Sequence, residues 1–157
     1  MPNRPQEMYS GDRQPVQEFD ADERFYYRVD PEFIQPDGSV LPVHIHCPNL
    51  SCNRSKFSQT WYVLFPLEKF GLWAVLQFDF NEVDKKIKGD GQDATVYHVV
   101  MMHCPLVDNY AHCEVKILRN GKAMKEAQIN RTAKGKFKLS MSKCLHIVRP
   151  PYSMPQS

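Results

Sequence analysis

The residues best suited to chemistry lie in one short run, His44-Ile45-His46-Cys47-Pro48-Asn49-Leu50-Ser51-Cys52. Imidazole nitrogen and thiolate sulfur at such spacing can hold zinc tetrahedrally, so Cys47, Cys52, His44 and His46 form a secondary, metal-binding reading of the run. The second Cys/His pair that a closed zinc site needs is missing nearby, since residues 53 to 97 contain neither residue type. His98, His103, Cys104, His112 and Cys113 are remote partners that only the fold could deliver. The primary reading therefore takes these side chains as satisfied strand and loop residues and expects no cofactor.

Nucleophilic catalysis needs Cys or Ser beside a His that a third group orients. His103-Cys104 and His112-Cys113 are neighbours in the chain, and on a strand adjacent residues point to opposite faces, so neither pair is a ready dyad. Gly89-Asp90-Gly91 lacks the Lys and the strand-to-helix setting of a phosphate loop. An enzyme is not the expectation. Trp61 and Trp73 both suit a core, and Trp61 also suits a protein interface, where aromatic residues concentrate.

The elements that must position these residues read as β-structure. Apolar and β-branched runs recur between turn residues: Val40 to Cys47, Thr60 to Phe65, Leu72 to Phe80, Thr95 to Cys104, Cys113 to Leu118, Lys122 to Ile129 and Lys136 to Val148, preceded by Phe25 to Val29. Asn120-Gly121 supplies the two positive φ angles of a tight hairpin turn, which sets Ile117 opposite Met124. Thr95 to Met102 is apolar on both alternations and is expected to be buried on both faces. No amphipathic helix is expected beyond a turn near Asn81 to Lys88.

A chain of 157 residues with a hydrophobic share of 42% fits one domain, while 12 prolines and a mean hydropathy of -0.51 point to unstructured ends. The expected division is a flexible arm over 1–22, a β-sandwich over 23–149 and a flexible tail over 150–157. No apolar run is long enough to cross a bilayer, and MPNRPQEMYSGDRQ lacks the apolar centre of a signal peptide. Five scattered cysteines suit reduced thiols, so a cytoplasmic or nuclear protein without membrane contact is expected. The net charge of +2 hides nine acidic residues against four arginines in residues 1 to 37 and a basic remainder from Lys116. Lys116, Arg119, Lys122, Lys134, Lys136 and Lys138 would carry an alternative function in nucleic-acid binding, but they sit at alternating or turn positions, as a solvated strand face requires.

The stretch TWYVLFPLEKFGLWAVLQFDF, with Trp61 opening a run, Phe70-Gly71 after a short gap and a hydrophobic strand following, resembles the substrate-binding domain of the seven-in-absentia ubiquitin ligases. The later charged loop, ATVYHVVMM, the Asn-Gly hairpin and Ser-Lys-Cys-Leu-His-Ile are similar in order, and GDGQDATVYHVVMM also looks like the related TRAF domains. The resemblance covers residues 43 to 148. It implies an all-β, antiparallel TRAF-like sandwich, here short of the family's last strands, that binds a degron-bearing or adaptor peptide by strand addition in ubiquitin-dependent degradation. It places Trp61 and Val63 in the peptide groove, with His44 and Ile45 on the preceding wall, and implies a homodimer. Two departures stand out. No Cys or His precedes His44, so the family's upstream RING and zinc-finger ligands are not present in this sequence, and the sequence stops soon after Val148.

Overall fold

The computed structural model describes residues 3–91 and 95–153. Gln92 and Asp93 of the second expected loop, and residues 154–157 of the expected tail, lie outside the described residues. Among the described residues eight strands form: β1 (Arg24–Val29), β2 (Leu50–Arg54), β3 (Ala74–Asp79), β4 (Lys86–Lys88), β5 (Val96–His103), β6 (His112–Arg119), β7 (Lys122–Ala123) and β8 (His146–Arg149). Two α-helices join them, the single turn α1 (Leu67–Phe70) and the longer α2 (Arg131–Cys144). The class is all-β, as the turn-punctuated pattern predicts. Hydrogen bonding joins the strands into one antiparallel sheet in the order β4-β5-β6-β2-β1-β3-β8, with β7 also paired to β6; it does not divide them into the two stacked sheets of a sandwich.

One face of the sheet carries the main core. Phe25 and Val29 of β1, Leu50 and Cys52 of β2, Leu76 and Phe78 of β3, and Val115 and Ile117 of β6 meet Phe137 and Met141 of α2 there. The opposite face is covered over β1 and β3 by residues 60–73, where Val63, Leu64, Phe70 and Val75 form a second cluster with Trp61 and Trp73. β5 lies beyond this cover. Its Tyr97, Val99, Met101 and His103 are buried while His98 and Met102 are exposed, so it is covered on one face and not on two.

The hairpin at Asn120-Gly121 forms with φ of 52° and 76°, and Met124 N–H donates to Ile117 O at 2.9 Å, the pairing that the turn dictates. Three expected strands do not form. Thr60–Leu64 is a 3-10 helix, Pro42–His44 is a 3-10 turn within the Val40 run, and the lysine-rich run is α2. Asn130 caps α2 by accepting hydrogen bonds from the Thr132 and Ala133 amides, and Ala133, Phe137, Met141 and Cys144 recur at helical spacing on its buried side.

The N-terminal segment is not a free arm. Met8 is buried, and Tyr110 N–H donates to Met8 O at 2.7 Å while Ser10 N–H donates to Val107 O at 3.0 Å. Arg54, wholly buried, pairs with Glu23 at 2.7 Å and donates to the carbonyls of Val16 and Glu18 at 2.5 and 2.8 Å. Composition undervalues this segment because several of its anchors are main-chain groups, which any sequence provides. At the other end, Tyr152 N–H donates to Leu72 O at 2.7 Å, so the described part of the expected tail is also tied down.

Candidate functional site

The covering residues 60–73 do not reach across the whole outer face, and a cleft of 580 Å³ remains beside them. Strand alternation presents Arg28 of β1, Asn53 and Ser51 of β2 and His112 of β6 toward it, and Val63, Phe65, Phe70 and Trp73 supply an apolar wall. Gly71 closes α1 under this wall. A Cβ there would stand 2.6 Å from the Leu67 carbonyl oxygen, so the tight return of the chain excludes a larger residue.

Arg28 is the distinctive member. Its guanidinium lies 3.6 Å from the Phe70 ring centroid, and Nη1 donates to Val63 O at 2.9 Å and to Phe65 O at 3.4 Å. Burial pushes its pKa down, and the charge of Arg4 across the cleft adds to the shift. Arg4 is paired with Asp108 at 3.2 Å, whereas none of the ion pairs among the described residues includes Arg28. Its Nε and Nη2 donors have no protein acceptor among the described residues.

The expected peptide-groove residues are split between the two faces of the sheet. Val63 lines the cleft but is only 6% exposed, and Trp61 is half-buried against Tyr62 and Phe65, with ring centroids 5.0 and 5.4 Å away. Ile45 belongs to the main core on the other face, and His44 stacks on Phe33 at 4.0 Å. One groove cannot use all four. Trp73, read from sequence as a core anchor, is the tryptophan that faces the cleft.

The expected secondary metal set does not assemble either. Cys47 and Cys52 are buried in the main core, where desolvation pushes the Cys47 thiol up to about 11, while His46 is exposed at the cleft. Among the described residues, Cys104, His112 and Glu114 are instead the group whose donor atoms all lie within 4.8 Å of one another. Cys104 donates to Glu114 Oε2 at 3.2 Å and lies 3.6 Å from His112 Nδ1. Burial, and then the Glu114 carboxylate, push this thiol up to about 12. Adjacent Cys and His in the sequence drew attention to His103-Cys104 and His112-Cys113, but the meeting pair is Cys104 with His112, one from each.

Comparison with protein-family models, curated proteins and solved structures gives no match. Among the described residues, no helix is long and apolar enough to cross a membrane.

Proposed function

We propose that this protein binds an extended, acidic peptide segment of a partner protein in the cleft on the outer face of the sheet. The observation that carries the proposal is Arg28, a half-buried cation opening on an apolar wall with no carboxylate paired to it among the described residues. A carboxylate from the partner would take its unused donors in a charge-assisted pair, and apolar side chains on either side would pack on Phe70 and Trp73. An apolar cleft with a few placed polar groups is the usual form of a binding site.

Strand addition, the mode implied by the resemblance, has the border of β8 at one end of the sheet to use, because α2 covers the border of β4 at the other. The assignment of such binding to ubiquitin-dependent degradation is drawn from the resemblance alone. The Asn120-Gly121 hairpin and the Phe70-Gly71 turn are its supporting features, and Trp61, which it sets in a strand, lies in a 3-10 helix.

Selection of a displayed library of random peptides on the wild-type protein tests the cleft. Peptides with an acidic residue flanked by apolar ones should be enriched, and should fail to bind Arg28→Met. Leu106 lies exposed on the rim, so Leu106→Glu should repel the same peptides without disturbing the core. Enrichment of peptides that bind both variants as well as wild type would reject the cleft as the site.

A further inference from the structure

Three donor atoms of different chemistry converge on one face of the β5–β6 pair at the border of the cleft, which His112 also lines. His112 and Glu114 are two residues apart on β6 and therefore share its outer face. Cys104 follows the last residue of β5, and its N–H donates to His112 O at 3.1 Å, which sets the two side chains opposite each other. The three are half-buried. A fourth residue, Ser51 on the neighbouring strand β2, places its Oγ 3.3 Å from His112 Nε2.

We infer that Cys104, His112 and Glu114 bind a divalent transition ion, zinc by preference, through Sγ, Nδ1 and a carboxylate oxygen. A thiolate, an imidazole and a carboxylate are all zinc ligands, and three protein ligands leave the fourth tetrahedral position to solvent. The sulfur and nitrogen donors disfavour calcium and magnesium, which take oxygen ligands. Ser51 supplies what a ligating histidine needs behind it: an acceptor for the Nε2 proton, which fixes the tautomer that leaves Nδ1 free for the metal. Nδ1 lies 2.9 Å from the Cys104 carbonyl oxygen, which can only accept, so Nδ1 carries the proton and metal binding would move it to Nε2. The Cys104 thiol, now donating to Glu114, gives up its proton to solvent as the sulfur–metal bond forms. His112 and Ser51 also line the cleft, but the inference rests on neither Arg28 nor the apolar wall and so stands or falls separately from the peptide-binding proposal.

The test uses the full chain, stripped with chelator and titrated with Co²⁺ and then Zn²⁺. Wild-type protein should bind one equivalent of Co²⁺ with a thiolate-to-cobalt charge-transfer band that Zn²⁺ then bleaches. Cys104→Ser should lose the band, and Ser51→Ala should keep it while binding about tenfold more weakly. Cys47→Ser should match wild type. Because the ligands are half-buried, each variant is first checked for a native circular dichroism spectrum. His112→Gln gives a second route should Cys104→Ser fail to fold, and its titration should show loss of tight binding. Absence of a charge-transfer band in the wild-type protein would overturn the inference, as would a band that survives in Cys104→Ser or binding unchanged in His112→Gln.

Discussion

His103 carries two hydrogen bonds that fix its tautomer. Nε2 lies 2.6 Å from Tyr110 O and must donate, because a carbonyl only accepts, while Nδ1 accepts from Val16 N–H at 2.9 Å. The neutral ring is thus built into the docking of the N-terminal segment, and burial holds its pKa below the ordinary 6.5. As pH falls the unfolded chain takes up this proton first. The stabilisation is therefore complete above 6.5 and is lost as pH falls through the lower folded value. Urea midpoints measured across that range should fall toward acid in the wild type, and fall less in His103→Gln; equal slopes would detach His103 from the effect. At the far side of the same segment, Glu23 and Arg54 form a pair with side chains 2% and 0% exposed. Glu23→Gln should cost about 3–5 kcal/mol by leaving a buried guanidinium uncompensated, whereas replacing both residues by apolar ones should cost less. Chemical denaturation of the single and double variants measures this. Neither residue stands out in the sequence, where Glu23 is one acid in an acidic stretch and Arg54 one base in a polar stretch. Arg28 was equally inconspicuous. A cation's worth as a site depends on which carboxylates the fold leaves away from it, and that is a property of long-range contacts.

At the scale of elements, α2 closes one border of the sheet. Ser140 Oγ accepts from Asp84 N–H at 2.8 Å, and Lys136 Nζ donates to Lys88 O at 3.1 Å. These side chains are four residues apart, one helical turn, and they meet backbone groups four residues apart at the β4 edge. An edge so covered cannot pair with another chain. Ser140→Ala leaves the Asp84 amide without its partner and should lower stability by about 1–3 kcal/mol in thermal or urea unfolding. An Ala variant as stable as wild type would mean that water replaces the hydroxyl at no cost. The sequence hid this helix for a definite reason. Lys134, Lys136 and Lys138 alternate with Gly135, Phe137 and Leu139, which matches a strand, and the helical set Ala133, Phe137, Met141, Cys144 is interleaved with it. Leu139 decides between them: it is 45% exposed, off the buried stripe, as the helix requires and the strand forbids. By contrast, Asn120-Gly121 and the run from Leu72 were legible because turn chemistry and a continuous apolar strand are local signals. Thr60–Leu64 was not, since Trp, Tyr and Val favour strands and only the apolar cluster beneath them selects a 3-10 turn.

For the whole molecule, the question is whether the cover over the outer face is a separate unit or part of one cooperative fold. Both tryptophans lie in that cover, and strands exceed α-helix in the regular backbone, so each layer has its own optical signal. The two layers share β3: Val75 packs into the outer cluster while its neighbours Ala74 and Leu76 pack into the main core. Arg28 on β1 holds the Val63 carbonyl, and Tyr62 bonds through its hydroxyl to Glu7 of the N-terminal segment. Loss of the cover would expose Val75 and Phe70 and release Arg28 from both carbonyl partners, so it should not melt ahead of the sheet. Tryptophan fluorescence and far-ultraviolet circular dichroism should therefore give superimposable thermal transitions, the signature of a two-state unfolding. In Arg28→Met the fluorescence transition should move to lower temperature than the dichroism transition, because that variant cuts the polar tie between the layers. Separate transitions already in the wild type would make the cover an independent element, and the cleft beneath it a surface that opens and closes.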